Sequence, residues 1–191
     1  MKLFLILLSV VLIFAACNLF EPREADSPDK PVLWNAFPTT PGKCLENLVL
    51  AYQHREYVYQ YGTIFTNEFE FWFDKHDVTD FSLPIFWIKQ DETEMLINAY
   101  QQTGLNQEIN LTLSPIPNQP DSNQANRAWV NRYYHLTVNH NQQNLNTEFS
   151  GIAQIQLERG SDGFWRISRW DDLRDQGFWT WGRMKNAFST T

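Results

Sequence analysis

Four stretches in the second half of the chain alternate apolar and polar residues with a period of two, and this pattern constrains the fold more than any other. Ile109, Leu111 and Leu113 share one face of the first stretch. Val130, Tyr134, Leu136 and Val138 share a face of residues 128–140, and Phe149, Gly151, Ala153, Ile155 and Leu157 do so in the third. The fourth covers residues 164–172. Such alternation buries one side of a strand and leaves the other wet. Ser161-Asp162-Gly163 supplies turn chemistry between the last two, which therefore read as a hairpin. The first half follows a different period. Pro41 stands where a helix can begin, and Leu45, Leu48, Val49 and Tyr52 recur on one helical face. Val58, Tyr61, Ile64 and Phe65 continue that face to a stop at Thr66-Asn67. Phe69, Phe71 and Phe73 then mark a half-buried strand, and Met95, Leu96, Ala99 and Tyr100 mark a helix over residues 91–103, with acids in its first turn. Helices first and antiparallel strands afterwards predict an α+β domain in which a curved sheet wraps the N-terminal helices.

The N-terminus carries a second message. Met1-Lys2, an apolar run from Leu3 to Ala16 and Cys17 have the parts of a secretory signal. The run is shorter than the roughly 20 residues a spanning helix needs. Phe14-Ala15-Ala16-Cys17 resembles the lipobox of bacterial lipoproteins, which implies cleavage before Cys17 and a diacylglycerol on its thiol. The boundaries expected are a signal peptide at 1–16, a lipidated tether at 17–40 and a domain at 41–191. Pro22, Pro28, Pro31, Pro38 and Pro41 disfavour helix and central strand in the tether. Val32-Leu33-Trp34 and Phe37 are too apolar for a solvated linker and are expected to dock on the domain. Cys44 is the only other cysteine, so a lipidated Cys17 leaves it unpaired and the domain relies on its core. Asn18 is not the Asp associated with inner-membrane retention, which favours the outer membrane.

Charge narrows the partners. Twenty-two acidic side chains stand against 15 basic ones, and cleavage, which removes Lys2, makes the balance more acidic. Nucleic acid and anionic membrane faces demand basic patches, so neither is expected as a partner of the domain. The remaining partners are the membrane reached through the lipid, an envelope protein, a small apolar ligand or a second copy of the chain.

The motifs resemble one family. Cys44-Leu45-Glu46-Asn47-Leu48 to Ala51-Tyr52, Tyr61 and Phe69-Glu70-Phe71 look like the helix-to-strand entry of lipid-anchored NTF2-like proteins. Phe149-Ser150-Gly151-Ile152-Ala153 and residues 165–172 look like the closing hairpin, and Thr180-Trp181-Gly182-Arg183-Met184-Lys185 like a C-terminal cap. The resemblance implies a cone with a pocket between the sheet's concave face and the helices. Enzymatic relatives of the ketosteroid isomerase or SnoaL type place an acid, Tyr, His or Arg in that pocket, while others bind or assemble without catalysis. No enzymatic member's full catalytic set lies on this sequence.

Candidate chemistry is sparse. His54, His76, His135 and His140 lack metal-ligand spacing, so no metal is expected, and phosphate loops and nucleophile elbows are absent from the sequence, so no cofactor is expected either. Regular alternation puts Trp129, Tyr133, His135 and Thr137 on one side of their strand, and Phe164, Arg166, Ser168 and Trp170 on one side of the last. If those sides face the pocket, His135 moves a proton, Arg166 holds a carboxylate or enolate, Tyr61 assists, and Tyr133 and Trp170 stack on ligand. If they face outward, the same residues are ordinary residents of a half-solvated or dimer-facing sheet. Asp171 and Asp172 face opposite sides of a regular strand, and Asp172 is expected to accept hydrogen bonds and pin the strand end against Trp179-Thr180-Trp181. Trp72, Trp129, Trp170 and Trp179 are candidates for an exposed interaction patch. The function expected is a membrane-tethered, non-catalytic binding module, with a SnoaL-like or isomerase-like enzyme as the alternative.

Overall fold

A computed structural model describes residues 33–103, 108–139, 147–177 and 179–189. The signal, Cys17, most of the tether, Gly104 and His140 lie outside the described residues. Helix α1 spans Pro41–Gln53, with Pro41 in its first turn and the Thr40 hydroxyl accepting from the Lys43 amide. The apolar face continues as expected, but not as α-helix. A 3₁₀ helix runs Arg55–Ile64, and Phe65 already begins the first strand instead of the helix closing at Thr66-Asn67. The buried residues Val58, Tyr61 and Ile64 are three apart, the repeat that keeps side chains aligned in a 3₁₀ helix.

Strand β1 is Phe65–Trp72, followed by a short helix α2, Lys75–Phe81, that the alternation did not reveal. Asp74 caps α2 by accepting from the His76 amide. Strand β2, Phe86–Ile88, leads directly into α3, Lys89–Thr103. The second half follows as β3, Ile109–Pro115; β4, Ser122–Asn123; β5, Arg127–Val138; β6, Glu148–Arg159; and β7, Trp165–Leu173. Helix α4, Trp181–Phe188, comes last. The strands form one sheet in the order β2-β1-β7-β6-β5-β3, with β4 on β5, and every pairing is antiparallel except β1 with β7. Helix α1 packs on β3 and β7, and α3 packs on β1 and α4, so the core lies between the sheet and these helices.

One local irregularity sets what that core contains. Gln156 pairs with Arg169 but Leu157 pairs with Ile167, so Ser168 is an extra residue in β7. Such a β-bulge reverses which side later residues face. Trp165 and Ile167 are buried before it, Trp170 and Asp172 after it. Regular alternation had placed Trp170 beside Arg166 and Ser168; the bulge turns it into the core instead. Trp170 therefore leaves both the ligand-stacking set and the exposed patch.

Candidate functional site

A polar seam crosses the core from Asp172 to Glu92. Asp172, turned inward by the bulge, accepts from the Tyr134 hydroxyl at 2.8 Å and from the Gly182 amide at 2.6 Å. The Tyr134 hydroxyl in turn accepts from the Trp181 amide, and the Trp181 indole donates to the Tyr52 hydroxyl at 3.0 Å. On the other side, Glu92 Oε1 accepts from Tyr61 at 2.5 Å and from Lys185 Nζ at 2.6 Å. The Lys185 ammonium also sits 3.5 Å from the Phe71 ring centroid and 3.9 Å from that of Trp170. Position 182 has no room for a side chain, because a Cβ would lie 2.7 Å from Phe73 and 3.0 Å from the Asp172 carboxylate. The start of α4 is held to α2 by Asp77, which accepts from Thr180 and pairs with Arg174.

Burial dominates the electrostatics of this seam. It pushes the Asp172 carboxyl up to about 7 against the pull of the Gly182 amide, Tyr134 and Lys185. It likewise lowers Lys185 to about 8, although Glu92 opposes the shift. Tyr52, Tyr61 and Tyr134 are all raised, again chiefly by desolvation. A carboxyl that titrates near neutrality beside a tyrosine has the chemistry to move a proton. It lacks access, because Asp172, Tyr134 and Trp181 are each exposed by 2 % or less.

The residues singled out by sequence are dispersed. Tyr61 lies in the seam, and Trp170 forms part of its wall. Tyr133 and His135 are exposed on the outer face of β5, while Arg166 is half-buried on β7. His135 pairs across β6 with Ser150 and Arg166 with Glu158, eight residues further along the same strand. At 3.3 Å per residue this separates them by about 26 Å, so they do not share a cavity. Arg166 instead binds Asp162 through both terminal nitrogens, at 3.1 and 2.7 Å. No group of three His, Cys, Asp or Glu side chains that would hold a metal exists among the described residues. Glu92, Lys185, Tyr52 and Tyr134 were not among the candidates: Glu92 stood only as an acid in a helix's first turn, Lys185 only in the C-terminal cap motif, and the two tyrosines only on apolar faces.

No protein-family model matches the sequence. No curated protein matches it either. Solved structures do. A conserved protein from Planctomyces limnophilus aligns with a TM-score of 0.56 at 13% identity, over 69% of this chain and 91% of that one. A protein from Kribbella flavida gives 0.54 at 11%, over 75% and 93%. A nuclear transport factor 2 (NTF2-like) superfamily protein from Salmonella enterica serovar Typhimurium gives 0.51 at 12%, over 71% and 90%. The fold is NTF2-like. Among the described residues, the centre of this NTF2-like cone is filled by the chain's own side chains. Trp181 packs edge-on against Trp170 at 4.2 Å and against Tyr52 at 5.2 Å. Tyr52, Tyr61, Phe71, Glu92, Trp170, Trp181 and Lys185 each have 0 % exposure. A void beside these seven side chains that held even one water would leave accessible area on them, and they have none.

The outer face of the NTF2-like sheet is richer in exposed aromatics. Trp129 is 44 % and Tyr133 38 % exposed on β5. At the opposite edge Trp72 stacks on Phe86 at 5.4 Å and lies under the Arg169 guanidinium. Arg169 pairs with Asp171, and Gln154 and Gln156 fill the middle. Trp179 is half-buried, with Arg183 3.8 Å from its ring.

Proposed function

We propose that the chain is a membrane-tethered, non-catalytic envelope lipoprotein that binds a protein partner through the outer face of its sheet. The observation that carries this reading is the filled cone: the chain's own Trp181, Trp170 and Lys185 occupy the place where a small apolar ligand or substrate would sit. The enzyme alternative needs His135 and Arg166 at one point, and about 26 Å lies between them. A module filled at its centre acts through its surface, and Trp129, Tyr133, Trp72 and Phe86 are large aromatic side chains on that face. The lipobox at Cys17 and the proline-rich tether support attachment to a membrane, with the outer membrane favoured by Asn18.

The test uses the full chain in its own envelope, with a photo-crosslinking residue replacing Trp129 or Tyr133. Capture of one envelope protein at both positions, lost when the other residue is changed to Ala, is expected. A crosslink to a second copy identifies a homodimer as the occupant of this face, and absence of any protein crosslink overturns the reading. The anchor is tested separately: Cys17→Ser releases the protein from membranes, and the intact mass of the extracted protein shows diacylglycerol on a chain starting at Cys17.

A further inference from the structure

The chain enters the domain along a strap, residues 33–40, whose backbone is pinned at two points. The Asn35 amide donates to Asn47 Oδ1 at 2.8 Å, Asn47 Nδ2 donates back to the Asn35 carbonyl at 2.9 Å, and Asn47 itself is buried. Three residues on, the Pro38 carbonyl accepts from the Trp165 amide at 2.8 Å. Of the tether residues expected to dock, Trp34 packs on the core, its ring 5.5 Å from that of Tyr57. Phe37 reaches Phe164, with 5.1 Å between ring centroids, yet stays 66 % exposed, and Leu33 is 68 % exposed. The pinned backbone presents both side chains outward.

Leu33, Trp34, Phe37, Tyr57 and Phe164 thus gather apolar and aromatic surface where the tether meets the domain. None of residues 33–40 carries a charge, so the strap itself offers apolar contact rather than attraction to charged groups. Rings with one polar edge, such as those of Trp34 and Tyr57, suit the boundary between lipid headgroups and acyl chains. Chain length favours that boundary over other occupants. Leu33 follows Cys17 by only 16 residues, which reach no more than about 58 Å when fully extended. A lipid on Cys17 therefore keeps the patch near the bilayer and makes its encounter with lipid an intramolecular event, an advantage that no free partner has. A contact too weak to hold the chain by itself suffices once the lipid holds it, in keeping with the release expected of Cys17→Ser.

We propose that this patch rests in the bilayer interface beside the chain's own lipid, with Leu33 and Phe37 among the headgroups and upper acyl chains. The proposal rests on lipidation of Cys17. Its test is a nitroxide label on Ala36→Cys, an exposed position between the two, in the lipidated full chain on phosphatidylcholine vesicles. With Cys17 acylated and Cys44 buried, the new thiol is the one that takes the label. The same label on His135→Cys is the control. His135 pairs with Ser150, and Trp165 pairs with Arg159 nine residues further along β6, which puts the control about 30 Å from the pinned strap. Collision rates with oxygen and with a water-soluble nickel complex are expected to place label 36 about 5–10 Å into the headgroup–acyl boundary and label 135 in water. Leu33→Ser combined with Phe37→Ser returns label 36 to water. Neither residue belongs to the core, so this variant folds, which circular dichroism checks. On a chain whose intact mass shows the lipid, three results overturn the proposal and leave the anchor standing: label 36 in water or no deeper than label 135, label 36 shielded from both reagents as a protein contact shields it, or a depth unchanged in the double variant. A chain without lipid on Cys17 overturns both.

Discussion

Lys185 on the last helix reaches Glu92 on the third across the centre of the core, with 2.6 Å between Nζ and Oε1 and no solvent exposure on either side chain. A buried pair of this kind gains little over an apolar replacement but is costly to break, because the survivor is an uncompensated charge. Lys185→Met is therefore expected to destabilise the domain by about 3–5 kcal/mol, and Glu92→Leu by a similar amount. The double variant loses less than either single change. Urea unfolding of the four proteins measures the coupling, and strictly additive losses would show that the two charges do not depend on each other.

Removing Trp181 opens the cone. Trp181→Ala is expected to cost about 3–5 kcal/mol and to leave an apolar cavity between Trp170, Tyr52 and Tyr134. Indole then raises the melting temperature of the variant and leaves the unmodified chain unchanged. An unmodified chain stabilised equally by indole would mean that the interior already has room.

The bulge makes its own prediction. Inserting one alanine between Arg169 and Trp170, beyond the bulge, shifts the alternation by one, which turns Trp170 and Asp172 outward and draws polar residues into the core. Unfolding, or a red shift of tryptophan emission with a stability loss of at least about 3 kcal/mol, is expected. Ser168→Ala keeps the extra residue and is expected to change stability by less than about 0.5 kcal/mol.

The seam also sets a pH dependence. The folded-state pKa of Asp172 is raised from 3.8 to about 7, so between these values the folded chain holds a proton that the unfolded chain has lost. Its contribution is fully present below pH 3.8 and is lost as pH rises toward 7. Lys185, lowered from 10.5 to about 8, acts in the opposite sense, penalising the fold below pH 8 and ceasing to do so toward 10.5. Asp172→Asn removes the acid-side component, so its stability falls less steeply from pH 4 to 7 than that of the unmodified chain. Parallel denaturation curves across that range would contradict the assignment.

Much of the architecture was legible in the sequence. Leu136 and Ile155 alternate with polar neighbours and are buried, and the turn at Gly163, with its positive φ of 82°, joins the expected hairpin. What stayed hidden depended on contacts far apart in sequence or on a break in period. Val58, Tyr61 and Ile64 are three apart, a spacing that α and 3₁₀ helices share, so the residues alone left the helix type open. Ser168 carries no mark of a bulge, and counting by twos past it put Trp170 on the wrong side. Glu92 and Lys185 each look like a solvated helix charge until the fold brings them together across 93 residues of chain. Asp172 was expected to accept hydrogen bonds and hold the strand end; it does so from a backbone amide and a tyrosine.

Helix α4 supplies Trp181, Met184, Lys185 and Phe188 to a core whose other walls are complete well before it in the chain. During synthesis, everything from α1 to β7 emerges while Glu92 still lacks its cation, and Tyr134 and Asp172 still lack the amides they accept from. The domain therefore has a latch at its trailing end. A chain stalled anywhere short of residue 181 remains open, and closure waits for the last eight helical residues to arrive.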